Sequence, residues 1–193
     1  MTDTNKVHYD LIDVAVAAVT ITEGVATFGE PKPLKGAISI DLAAQGDIVK
    51  LRADGTDYYV ASSNNGYEGN LNLAMVPDWF KVEHLGHTIS EKDKVLVENS
   101  NSEHTPFALL FGFKGDKKKR RHVIYNCMAR RASVKGENKD NMKEPDTESL
   151  PITATPLPDG KVKASTTEET PERVYNAWNT AVWVKDTTAA AQT

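Results

Sequence analysis

Apolar and polar positions alternate with a period of two along most of the chain, and helical spacing is confined to two short stretches. From Asp13 to Val19 both alternating sets are mostly small or apolar, the pattern of a strand covered on both faces. Ile38, Ile40 and Leu42 fall on one face of a second strand. Ile48–Arg52 follows a Gly46-Asp47 turn, and Asp54-Gly55 separates it from Tyr58-Tyr59-Val60. Asp-Gly between two such runs predicts a β-hairpin. Asn64-Asn65-Gly66 then leads into a strand over Tyr67–Leu73. Phe107, Leu109, Phe111 and Phe113 share a face of one strand, and Val123, Tyr125 and Cys127 a face of the next. Between them lie Gly115-Asp116 and a basic run, which together predict a long hairpin.

The helical stretches carry their own boundaries. Pro77 opens the first and Gly86 closes it. Thr170-Pro171 opens the second, whose Val174, Trp178 and Ala181 form a stripe suited to packing on a sheet. Glu137–Glu148 is polar and reads as a loop, Thr153–Gly160 as a turn region, and Thr187–Thr193 as a frayed tail. The expectation is a mainly β chain, 1–193 as one domain with one or two short flanking helices. Residues 1–10 would form an N-terminal arm and 186–193 a flexible tail.

Composition narrows the function. Among 193 residues no apolar run approaches the length of a membrane helix, and no membrane insertion is expected. The run Val14–Ile21 follows acidic residues, unlike a signal peptide. Cys127 is the single cysteine, which excludes an internal disulfide framework and fits synthesis in a reducing cytoplasm. The net charge of −4 conceals an asymmetry: residues 114–135 hold nine basic side chains and one acidic one, leaving 14 basic and 26 acidic elsewhere. A basic patch on an acidic body favours self-association, and nucleic-acid binding competes with that reading. Lys117, Lys118, Lys119, Arg120 and Arg121 have three readings: a solvated tip that discourages edge pairing, a contact with an acidic neighbouring subunit, or a nucleic-acid patch. The last lacks the interleaved aromatic residues that stack on bases.

Catalytic readings fail on spacing. His122 and Cys127, five apart on one strand, are expected on opposite faces, so they cannot pair as base and nucleophile. Cys127 reads instead as a small buried apolar residue. Gly86 interrupts His84 and His87, so a metal site with Glu83 and Glu91 is not expected. Gly66-Tyr67-Glu68-Gly69 lacks the Gly-Lys-Ser/Thr ending of a phosphate loop. No carboxylate pair stands out. Neither an enzyme nor a cofactor is expected. The hairpin region 43–72 is instead an interface candidate, because tyrosines such as Tyr58, Tyr59 and Tyr67 bury area while keeping the hydroxyl bonded.

Four blocks, "GEPKPLKGAISIDL", "YYVASSNNGYEGNLNLAMVPDWF", "PFALLFGFKGDKKKRRHVIYNCMARRASVKGE" and "LPITATPLPDGKVKA", resemble the major tail protein of long-tailed, non-contractile bacteriophages of Gram-positive hosts. Their order and spacing match from about residue 6 to residue 185. The alanine-rich end lies outside the pattern. The resemblance implies a β-sandwich flanked by a helix, whose strands join those of neighbours in a ring-shaped barrel lining a lumen. It implies six-fold rings stacked as a hollow tail tube in the virion, made in the host bacterial cytoplasm. The implied partners are further copies, the tape-measure protein, and the tail terminator and distal tail proteins, with DNA passing through unbound. Two alternatives stand beside it: a nucleic-acid-binding module using residues 114–135, or a single-ring terminator or completion protein. Under the tube reading the acidic body faces the lumen, where negative walls do not hold DNA, and the basic hairpin is kept out of it.

Overall fold

β1 (His8–Thr22) runs through fifteen residues and sets the frame of the molecule, a computed structural model describing residues 5–115, 117–136 and 145–185. Residues 1–4, Asp116, 137–144 and 186–193 lie outside the described residues, and with them parts of the expected arm, turn, loop and tail. Four consecutive residues of β1, Val14 to Ala17, are buried, as a strand covered on both faces requires. Its end turns at Glu23-Gly24 into β2 (Val25–Phe28), and β3 (Lys32–Pro33) pairs with its middle.

β4 (Ala37–Gln45) leads into the predicted hairpin, β5 (Ile48–Ala53) and β6 (Thr56–Ser62), and the chain returns in β7 (Gly66–Leu73). α1 (Asp78–His84) follows, with Pro77 at its N-cap position and Gly86 at φ 68° just past its end. Two short strands, β8 (Thr88–Ile89) and β9 (Leu96–Val97), pair with each other. The long hairpin is β10 (Phe107–Gly115) with β11 (Arg120–Ala129). β12 (Glu148–Ala154), β13 (Lys163–Ser165) and α2 (Glu172–Ala177) complete the order. The large sheet is antiparallel, ordered β2-β1-β10-β11-β12-β7-β4, with β3 on β1 and β13 on β11. The chain is therefore mainly β with two short helices, as expected.

The inner core explains the shape of this sheet. Val16, Leu71, Phe107, Leu109, Ile124 and Ile152, from strands across its width, meet in one buried cluster with Phe80 of α1. Ile40 and Leu42, from the strand at the far end of the order, pack on the same cluster, so the sheet is curled around it. A second cluster covers the outer face, where Ala17, Leu110, Val123 and Tyr125 lie beneath Leu157, Trp178 and Trp183. β10 is buried on both sides, which is why its alternation reads as a continuous apolar run.

Three departures from simple alternation have local causes. Ala37 pairs with Leu73 but Ser39 with Asn72, so a bulge leaves Ile38 unpaired and 52% exposed while Ile40 and Leu42 stay inward. Phe107 pairs with Cys127 and Leu109 with Ile124, so β11 carries an extra residue. Val123 and Tyr125 therefore face the outer cluster, and Cys127 turns to the inner one. This corrects the expected shared face, and it puts His122, stacked on Phe111, on the same side as Cys127. In the second helix Thr170 does not cap; its hydroxyl accepts from the Thr167 N–H at 2.8 Å, and Pro171 occupies the cap position. α2 ends at Ala177, and the turn after it exposes Ala181 and brings Trp183 onto Trp178 at 6.1 Å.

Candidate assembly surface

The hairpin β5–β6 stands apart from the large sheet as an arm. Asp54 at φ 52° and Gly55 at φ 78° form its tip, the left-handed pair that Asp-Gly adopts at low cost. At its base the Ser63 N–H donates to the Asp47 carbonyl and the Asn65 N–H to that of Gln45, both at 2.9 Å, which continues the β4–β7 ladder outward. Gly66, at φ 101°, has no room for a Cβ against the Ala154 carbonyl, and its N–H donates to Asn64 Oδ1 at 3.1 Å. Only glycine fits this junction.

The two sides of the arm differ. Val49 opposes Ala61 and Leu51 opposes Tyr59, which makes one side apolar. The other holds Lys50 and Arg52, ion-paired with Asp57 at 2.8 and 3.6 Å, beside Val60. Ile48, Val49, Leu51, Tyr58, Tyr59 and Val60 are each more than half exposed, Tyr58 reaching 74%. Isolated two-stranded hairpins are marginal, and a contiguous exposed apolar patch marks an interaction surface. Among the described residues, no strand is hydrogen-bonded to the outer edge of β4, which β1 approaches along part of its length, and an unpaired edge is a template for further pairing. Tyr67 is elsewhere: half-buried against the inner core, with Lys163 Nζ 4.9 Å from its ring.

The basic run is partly committed within the molecule. Asn5 brackets the hairpin turn, its Oδ1 accepting from the Lys117 and Lys118 N–H groups at 2.9 and 3.0 Å and its Nδ2 donating to the Lys118 carbonyl at 2.6 Å. Tyr175 of α2 lies under two cations, with Lys118 Nζ at 4.4 Å and the Arg121 guanidinium at 4.3 Å from its ring centre. Arg121 also donates to the Tyr175 carbonyl, and the Tyr175 hydroxyl to the Lys119 carbonyl at 3.0 Å. Arg120 Nε donates to the Thr166 carbonyl at 3.2 Å. Outside the run, Lys114, Arg130 and Arg131 pair with Asp10, Glu68 and Glu98 at 2.9, 2.6 and 2.7 Å. Replacing Asn5 with Ala is expected to lower stability by about 1 kcal/mol. Amide exchange at Lys117 and Lys118 should rise with it, and unchanged exchange there would contradict the bracket.

One end of the curled sheet is plugged and the other is open. α1 fills the end near Phe107, where Phe80 and His84 pack on that ring at 5.4 and 5.1 Å. At the Phe113 end the interior opens into a cavity of about 270 Å³ lined by Leu42, Tyr67, Phe111, Phe113, His122 and Lys163. A second, of about 270 Å³, adjoins it at Phe113 and His122 and reaches His8 and Arg120. His122 stacks on Phe111 at 5.2 Å. Burial first, then Lys163, Arg120 and His8, push its pKa down to about 4, so the ring is neutral at pH 7. Sequence spacing did not single out this mouth. Its walls come from β4, β7, β10, β11 and β13, and only the continuation of the inward face to Phe113 hinted at it.

The residues weighed for chemistry take structural places. Cys127 is fully buried, its Sγ 3.8 Å from the Ile124 carbonyl, and burial pushes the thiol up to about 12. Such a thiol is not a nucleophile near neutral pH. His84 lies in the aromatic stack of Phe80 and Phe107, and burial lowers its pKa. His87 lies apart from it, its Nε2 3.8 Å from Glu98 Oε2. Among the described residues no three His, Cys, Asp or Glu side chains gather as a metal site. No described helix is long and apolar enough to cross a membrane.

No family model matches the chain, and no curated protein matches it. One similar solved structure is the cryo-EM structure of the anti-feeding prophage cap, described as a tube-terminating cap. It is 10% identical, with 86% of this chain and 97% of that one covered, at a TM-score of 0.46. At that score the likeness carries no argument about this chain.

Proposed function

We propose that this chain is a structural subunit of a long, non-contractile phage tail. Copies close into six-fold rings, and the rings stack as a hollow tube around a tape-measure protein, bounded by terminator and distal tail proteins. The observation that carries the self-assembly is a pair of unpartnered β features on one domain: the unpaired edge of β4 and the exposed apolar arm. Head-to-tail contacts between different patches close into rings or extend as polymers, and ring closure removes sheet edges. The six-fold tube itself rests on the sequence resemblance. The arm reaches a neighbouring subunit or ring. The acidic body faces the lumen and the basic hairpin stays outside it, so DNA passes without binding; an assembled structure with residues 117–121 lining the pore would overturn that placement.

Electron microscopy of negatively stained protein across a concentration series, with sedimentation, tests this reading. Uniform tubes or stacked rings are expected. Discrete single rings would favour a terminator or completion role. Replacing Tyr58 and Tyr59 together with Ser is expected to leave monomer stability within about 0.5 kcal/mol, as for exposed positions. Assembly should then need at least about tenfold more protein, a loss of about 1.4 kcal/mol. Unchanged tubes would remove the arm from the assembly.

The nucleic-acid alternative fits less well, because Lys118 and Arg121 stack on Tyr175 and Lys114, Arg130 and Arg131 are ion-paired. It predicts duplex affinity falling with salt at a log–log slope of about −0.9 per phosphate neutralised.

A further inference from the structure

The arm and the open mouth are complementary, and they sit at the same end of the sheet. β4 ends at Gln45 and β7 starts at Gly66, where the arm joins, while Leu42 and Tyr67 beside that junction line the mouth. The arm's own apolar side chains are exposed, so it does not fill its own mouth. We propose that the apolar side of the arm from a second copy, led by Leu51 and Tyr59, seats in the aromatic mouth bounded by Phe113 and His122. This rests on the self-assembly reading above and names the surface that receives the arm.

Three observations favour a second copy as the occupant. Rotation about a ring axis keeps every point at its own height, so two different patches at one end of the sheet can meet around a ring. A six-residue strand spans about 20 Å, enough to cross to a neighbour. One charge also matches: Asp54 stands at the arm's tip outside the pairing of Asp57 with Lys50 and Arg52, whereas Arg120 and Lys163 outnumber Asp41 around the mouth. A buried tyrosine covers about 150–250 Å², so seating Tyr59 with Leu51 supplies a sizeable part of the roughly 800 Å² that each partner contributes to a standard interface.

The test places the photoreactive residue p-benzoylphenylalanine at position 59 of the full chain and irradiates it under conditions where the wild type assembles. Cross-links between copies, mapped by mass spectrometry, are expected on peptides carrying Leu42, Phe113 or His122. Cross-links confined to another arm or to α1 in well-formed assemblies would overturn the seating while leaving self-assembly intact. A wild type that stays monomeric at every concentration, alone and with tape-measure protein, would overturn the self-assembly reading and the seating with it. A double-mutant cycle gives an independent readout. Asp54→Asn, which keeps the left-handed turn, and Lys163→Gln should each weaken assembly about two- to fivefold, and the double variant should weaken it little further. Fully additive losses in the double variant would also count against the seating.

Discussion

Replacing Phe80 with Ala is expected to cost the fold about 3–5 kcal/mol. The ring is completely buried, edge-on to Phe107 at 5.4 Å and 5.0 Å from His84. α1 has only seven residues, too few to hold a helix in water without tertiary contacts. Its order therefore depends on side chains buried in the inner cluster, and Phe80 is central among them. Removing the ring opens a void between β10 and the helix and unplugs that end of the curled sheet. Against a total stability of about 5–15 kcal/mol, the loss is a large fraction. Urea denaturation followed by fluorescence, with Trp79 on the same helix as a local reporter, measures it. Phe80→Leu should cost much less, since it keeps most of the volume. A Phe80→Ala variant within about 1 kcal/mol of wild type would contradict the role given to α1.

Acid should destabilise the monomer before its carboxylates titrate. His122 is held neutral in the folded state, with its pKa lowered to about 4 by burial and by Lys163, Arg120 and His8. In the unfolded chain it takes up a proton near its ordinary value of 6.5. The stability this group preserves is present above pH 6.5 and lost as pH falls toward 4, reaching at most about 3 kcal/mol. Buried His84, also lowered, acts in the same direction. Glu98, whose pKa is lowered by the Arg131 hydrogen bond, loses its contribution only below the ordinary carboxylate range. The two windows therefore separate. Denaturation midpoints measured between pH 7.5 and 4.5 should fall for wild type, and His122→Gln should flatten much of that fall. An equal slope in the variant would show that His122 is not the group responsible. If a neighbour's arm covers the mouth, assembly should also weaken over this window, because a protonated His122 would then be buried deeper.

Most strands could be read from the chain because their causes are local. Asp54-Gly55 fixes the arm's tip through backbone conformation alone, and Pro77 and Gly86 bracket α1 in the same way. β12 was less legible, because Pro151 removes a backbone donor and reads against a strand. It lies just outside the stretch where Ile152–Ala154 pairs with Cys127–Ala129, and its carbonyl still accepts from the Arg130 N–H at 2.9 Å. The two bulges were illegible for a related reason. An extra residue is defined by the partner strand's count, so alternation misplaced Ile38 and Cys127 until both strands were in register.

The candidate surface divides along the same line. Tyr58 and Tyr59 were singled out in the sequence as interface candidates because tyrosines on a hairpin bury area while the hydroxyl stays bonded, and the structure leaves both exposed on the arm. Tyr67 was grouped with them by proximity in the chain, yet it belongs to the mouth, since the chain crosses from arm to sheet at Gly66. The five cations from Lys117 to Arg121 read as one patch in sequence. Only the packing of α2 against the hairpin shows Tyr175 taking up Lys118 and Arg121, through contacts more than fifty residues apart. The sequence by itself determined the strands with clear alternation, the turns between them and the hairpin arm, because backbone conformation and side-chain alternation are settled within a few residues. Register, the fate of each cation and the open mouth were decided by tertiary structure, because each depends on which distant strands lie side by side.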